Sequence, residues 1–282
     1  MNLLGKLKSQ LNRLLEPANI KIDSLTAARR EQSRLRALQI GGHFNRAIFP
    51  VLENIHQPSV TAIVKQVATS ADRFKLFYNA SENPVGYTFA NDYYTSPDTE
   101  VLYAVIQQFR PARIIEVGSG NSTRIARQAI TDGGLNTELI AIDPFPRCEV
   151  SGFANRVVTQ NVETIEDQSL FTSLEANDIL FIDSSHEVKC GNDVVNVMPT
   201  LKPGVIVHLH DIFLPFEYPE EWIVKNGWPW NEQYLVQALV AGGKTFEILW
   251  AGHYFQKCNP DFKNWFAHWR GADAKSLWLR KL

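Results

Sequence analysis

Four short apolar runs between residues 113 and 211 each finish at or beside an acidic residue. They are Arg113–Val117 with Glu116, Leu139–Ile142 before Asp143, Asp178–Ile182 before Asp183, and Val205–His210 before Asp211. A fifth run, Arg156–Thr159, lies between the second and third. Helical stretches separate them. Apolar strands alternating with helices fit a parallel sheet covered on both faces. In such a sheet ligands sit beyond the carboxyl ends of the strands. One acidic strand end is unremarkable, but four point to a shared site. Thr245–Trp250 and Ser276–Leu279 read as two more strands.

The first run leads into Gly118-Ser119-Gly120, then Asn121-Ser122-Thr123 and a helical stretch from Ile125 to Ile130. Strand, glycine turn and helix outline a nucleotide-type cofactor site. The glycines let the chain turn tightly and let a ligand approach the backbone. The helix start offers unpaired N–H groups and polar caps. Asp143, at the next strand end, suits ribose hydroxyls, because an ionised carboxylate only accepts hydrogen bonds. Position 123 is Thr where a dinucleotide fingerprint has its third glycine, which disfavours a nicotinamide-dependent oxidoreductase.

These residues resemble class I S-adenosylmethionine-dependent methyltransferases. Ile115–Gly120 is similar to their first motif. Asp143 matches the ribose-binding acid, and Asn161 the place where the family holds the adenine. Asp178–Asp183 and Lys202–Val207 are similar to motifs on strand four and before strand five. The resemblance covers residues 95–282. It implies a Rossmann-like, doubly wound α/β sheet of seven strands in the order 3-2-1-4-5-7-6, with the last two strands as an antiparallel hairpin. It also implies S-adenosylmethionine as cofactor, bound through Glu116, Gly118, Ser119, Gly120, Ser122, Asp143, Asn161 and Asp183.

The subtype is narrowed by Ile182-Asp183-Ser184-Ser185-His186 and by His210-Asp211. Both resemble metal-dependent O-methyltransferases of the catechol and sugar types. The resemblance implies catalytic roles for His186, Asp183 and His210, with His186 as general base. It also implies a divalent ion on Asp183, His210 and Asp211. His210 stands where the family has an acid or amide. Mg²⁺ prefers oxygen ligands, whereas a set containing histidine suits Mn²⁺, Fe²⁺ or Zn²⁺ better. A neutral hydroxyl attacks a sulfonium poorly, so it needs a base or a metal to remove or acidify its proton. The expected reaction is O-methylation of a small hydroxylated acceptor, such as a sugar or glycosylated metabolite. The alternatives are a metal-independent N- or O-methyltransferase using the two histidines alone, and a non-catalytic cofactor-binding partner. His208, two residues before His210, reads as structural.

The 282-residue chain divides in sequence into a helical appendage over 1–80, a linker and first helix over 81–110, and a donor-binding domain over 111–282. An aromatic segment, 212–234, reads as a lid. Leu3, Leu4, Leu7, Leu11, Leu14 and Leu15 share one face of the first helix, which Pro17 ends. Residues 1–40 carry eight Lys/Arg against three Asp/Glu. That helix is expected to pack on the body or form a homodimer contact; peripheral membrane contact through residues 1–16 is the less favoured reading. Ser96 is expected to cap a helix over 97–109. A net charge of −2 offers nothing to a nucleic acid. Cys148, Cys190 and Cys258 have no metal-ligand spacing and read as reduced thiols. No run reaches the roughly 18 apolar residues of a membrane span. With no secretory signal pattern either, the expected location is cytoplasmic.

Overall fold

The computed structural model describes residues 3–50, 52–188 and 197–282. Cys190 and part of the helical stretch expected between strands four and five lie outside them. The chain forms two compact units: Met1–Arg46 with Pro219–Gly227, and Ala47–Tyr218 with Trp228–Leu282.

In the smaller unit, α1 spans Leu3–Leu15 and α2 spans Leu25–Ile40. Ser24 caps α2 by accepting a hydrogen bond from the Thr26 amide at 3.2 Å. Asn12 clasps the chain between the helices: its amide donates to the Ile22 carbonyl, and its oxygen accepts from the Ile22 N–H. Leu7, Leu11 and Leu14 are exposed.

The larger unit is built on seven strands: β1 Arg113–Val117, β2 Glu138–Ile142, β3 Arg156–Val158, β4 Ile179–Ile182, β5 Ile206–Leu209, β6 Phe246–Ala251 and β7 Leu277–Lys281. Their order is β3-β2-β1-β4-β5-β7-β6. The first five are parallel, and β7 runs antiparallel to both β5 and β6. This is the Rossmann-like topology that the sequence resemblance implied. β4 and β5 are buried along their whole length, which is why they read as unbroken apolar runs.

Among the helices that pack on this core are α3 Gln57–Thr69, α4 Asp98–Phe109 and α5 Asn121–Asp132. The sequence grouped residues 1–80 as one appendage, yet Ala47 already begins the larger unit. Val60, Ile63 and Val67 of α3, with Phe74 and Phe77 after it, are buried in the same core as the sheet. Each is large and apolar, and burying such a side chain contributes about 1.5–3 kcal/mol.

Two local expectations differ from the fold. Ser96 does not cap α4; its hydroxyl donates to Glu100 Oε1 instead, at 2.7 Å. The helix expected from Tyr234 begins at Glu232. We label it α6, Glu232–Val240. Its first turn starts early because the amides of Asn231 and Glu232 both donate to the His186 carbonyl, at 3.0 and 3.2 Å. Among the described residues no helix is long and apolar enough to cross a membrane.

Candidate active site

Gly118 leaves β1 with a φ of +83°, a backbone region that L side chains rarely adopt. A Cβ there would lie 1.9 Å from the Asp183 carbonyl oxygen, so the turn fits against the end of β4 only as glycine. The amide of Ser119 donates to Asp143 Oδ2 at 2.9 Å, and the Phe145 amide donates to Oδ1 at 2.8 Å. Asp143 thus ties the glycine turn to the end of β2. Gly120 donates its amide to Thr123 Oγ1 at 3.0 Å.

Glu116 is buried inside the turn. Its two oxygens accept from the hydroxyls of Ser122 and Thr123, each at 2.6 Å. Burial pushes its carboxyl up to about 8, against the pull of those two hydroxyls. Glu116 and Ser122 therefore brace the start of α5 from within. Asn161 is exposed on the loop after β3.

Across the sheet, the ends of β4 and β5 bring together the residues singled out beside them. His186 Nε2 lies 3.4 Å from Asp183 Oδ1 and 3.5 Å from Asp211 Oδ2. His210 Nδ1 lies 3.5 Å from the same Asp211 oxygen and 3.7 Å from Asp183 Oδ1. His186 and Asp211 both hold left-handed backbone, with φ of 56° and 55°. His208 is fully buried, stacked on Phe181 at 3.8 Å, with its ring centre 5.9 Å from that of His210. Burial holds it well below its usual range, in keeping with a structural role.

Three further residues, absent from the sequence reading of the site, complete the cluster. Glu232 Oε2 lies 3.3 Å from His186 Nδ1. Asp98, in the first turn of α4, lies 3.4 Å from His210 Nε2. Lys275 Nζ lies 3.0 Å from Asp211 Oδ1. The only sequence signal touching any of them was Ser96-Pro97-Asp98, which read as a helix start. Trp230 covers His186, with ring centres 4.3 Å apart. Phe213 and Tyr218, in the aromatic segment 212–234, are buried.

The electrostatics follow from this crowding. Burial alone would lower His186, but Asp183, Glu232 and Asp211 outweigh it and push it up to about 10. Burial also works against charge on His210, and Asp211 and Asp183 raise it to about 9. Burial would raise Asp211, yet His210, Lys275 and His186 hold it well below the usual carboxylate range.

Asp183, His210 and Asp211 each offer one ligand atom within 4.8 Å of the others, close enough for a divalent ion. His210 turns Nδ1 toward the two acids and Nε2 toward Asp98, the layout of a ligand whose second nitrogen is oriented by a carboxylate. One Asp211 oxygen faces the Lys275 ammonium.

A seven-stranded sheet of this order, with a glycine turn after β1 and an acid after β2, is the arrangement that the sequence resemblance to class I methyltransferases implied. Residues 115–212 match the family model described as "Methyltransferase domain". No curated protein matches the sequence. Among solved structures, the chain is similar to CmcI-N160 in its apo form, at 14% identity over 72% of this chain and 82% of that one, with a TM-score of 0.42. It is also similar to an O-methyltransferase from Bacillus cereus in complex with SAH, at 15% identity over 78% and 90%, TM-score 0.40. A third is the SAH-bound methyltransferase PaMTH1 of Podospora anserina, at 12% identity over 93% and 98%, TM-score 0.40.

Proposed function

We propose that the chain transfers a methyl group from S-adenosylmethionine to a hydroxyl oxygen of a small acceptor, with His186 as the general base. The observation that carries this is the convergence of His186 Nε2 on the ends of β4 and β5, beside the glycine turn. S-adenosylmethionine supplies the methyl as a sulfonium, a leaving group that needs no acid. The acceptor oxygen bonds to the methyl carbon, the carbon–sulfur bond breaks onto sulfur, and the hydroxyl proton goes to His186 Nε2.

Each residue has a place in that reaction. Gly118, Ser119, Gly120 and Asp143 shape the donor turn, and Glu116 with Ser122 stiffens it. Asn161 lies on the loop suited to the adenine. Glu232 holds Nδ1 of His186, so that Nε2 is the nitrogen facing the acceptor. Asp183 and Asp211 stabilise the imidazolium as it forms. The neighbouring carboxylates raise the affinity of His186 for a proton, and a positive charge in the adjoining donor turn opposes them. Trp230 offers a flat apolar wall suited to a sugar or ring-bearing acceptor.

Release of S-adenosylhomocysteine, followed over a panel of small hydroxylated acceptors and amines, tests this. His186→Ala should lower turnover about 10²–10⁴-fold, with S-adenosylhomocysteine affinity unchanged by calorimetry. Turnover that survives His186→Ala removes the base, and transfer to amines alone removes O-methylation.

A further inference from the structure

We propose that α1 is a docking helix for an anionic phospholipid surface, seated on it by the face that carries Leu7, Leu11 and Leu14 and held there by the basic charge of residues 1–40.

The helix turns an apolar stripe outward. Leu7, Leu11 and Leu14 recur at i, i+4 and i+7, one face of an α-helix, and they are 53%, 38% and 76% exposed. Packing on the body, which the leucine pattern led us to expect, would have buried them. A row of exposed apolar side chains marks an interaction surface. The smaller unit has no core of its own to take them: among its described residues, 5–46 and 219–227, none is buried.

α1 is nonetheless held as a helix before it meets anything. At 13 residues it has the length at which an isolated helix is marginal in water. Asn12 compensates by gripping both backbone groups of Ile22, and Lys8 pairs with Asp23. Lys8 and Asn12 lie four residues apart and share a face, a different one from the leucines. The clasp therefore orders the helix and leaves the stripe open. A preformed helix spares much of the ordering cost of binding.

Charge selects the occupant. Residues 1–40 hold eight Lys/Arg against three Asp/Glu, in a chain whose net charge is −2. Two copies meeting through this face would bring two such basic segments together, and like charges oppose that contact. An anionic bilayer offers the leucines an apolar interior and the cations a negative surface, which attracts each Lys or Arg near it. Lys6 and Arg13, seven residues apart, flank the stripe and are exposed. Side chains so placed reach the headgroups while their apolar stems stay with the leucines. The helix lies in the surface rather than crossing it, because its 13 residues rise only about 20 Å against a hydrocarbon core of about 30 Å.

Co-sedimentation of the full-length protein with vesicles tests this, using phosphatidylcholine alone and phosphatidylcholine with roughly one-third phosphatidylserine. Wild type should bind the anionic vesicles at least about tenfold more tightly than the neutral ones, and lose that preference in about 0.5 M salt. Leu7→Ser, Leu11→Ser and Leu14→Ser together should weaken binding to the anionic vesicles at least about tenfold, with the melting temperature unchanged. Lys6→Glu with Arg13→Glu should weaken it by a similar factor. Wild type that stays in the supernatant with anionic vesicles would overturn the inference, as would either set of substitutions that binds them as tightly as wild type. So would a wild-type dimer, by light scattering without vesicles, that the three serines turn into a monomer, since the face would then belong to a second copy. If the triple-serine variant does not fold, Lys6→Glu with Arg13→Glu decides in its place.

Discussion

Gly118 and Asp183 touch through their backbones: a single carbon added to Gly118 would lie 1.9 Å from the Asp183 carbonyl oxygen. The turn that shapes the donor site and the strand end that carries the acceptor-side acid are therefore one rigid piece. Gly118→Ala must relieve both this clash and a φ of +83°. It should destabilise the fold by at least about 3 kcal/mol and abolish S-adenosylhomocysteine binding. Thermal melting and calorimetry check this, and a variant that binds with wild-type affinity would contradict the rigid coupling.

Asp143 accepts from the Ser119 amide with one oxygen and from the Phe145 amide with the other. Asp143→Asn replaces an ionised acceptor with a neutral one, and hydrogen bonds to charged groups contribute about 1.5–3 kcal/mol. S-adenosylhomocysteine affinity should fall about tenfold to hundredfold, while melting shifts little. An unchanged dissociation constant would show that the turn holds its shape without the acid.

Glu116 gives the stability a pH dependence of known sign. Its folded carboxyl is raised to about 8 by burial, from an ordinary 4.5. A raised carboxyl contributes its full stability below 4.5 and loses it as pH rises toward 8. Denaturant unfolding between about pH 5 and 8 should therefore show wild type weakening relative to Glu116→Gln by a few kcal/mol. The difference between the two proteins is the measurement, because His186 and His210 titrate in both. Parallel pH profiles would contradict the assignment.

Glu232→Gln keeps the shape of the side chain beside His186 Nδ1 and removes its charge. Turnover should fall about tenfold to hundredfold, less than for loss of the base itself. S-adenosylhomocysteine affinity should stay the same, and Glu232→Asp should restore part of the rate. Full activity in Glu232→Gln would leave His186 oriented by Asp183 and Asp211 alone.

The sheet was legible because a strand buried on both faces leaves a plain mark, as Ile179–Ile182 and Ile206–Leu209 do. The glycine turn was legible because its geometry limits position 118 to one residue type. Asp183, His186, His210 and Asp211 stood out because they follow strands directly. Asp98, Glu232 and Lys275 carry no such mark. Each is an ordinary charged residue at the edge of a helix or strand, brought to its partner from 112 residues away for Asp98, 46 for Glu232 and 64 for Lys275. Only the antiparallel entry of β7 and the early start of α6 make them neighbours. The extent of the core was also hidden: α3 has the stripe of any amphipathic helix, and nothing local tells whether that stripe meets its own unit or another.

His186 and Asp211 both sit in left-handed backbone that glycine would adopt with less strain. Glycine there would relax the chain and leave nothing to hold a proton. Of the two, His186 is held by the amides of Asn231 and Glu232, which grip its carbonyl. Loosening the start of α6 would let His186 go slack while the sheet beneath it stayed whole.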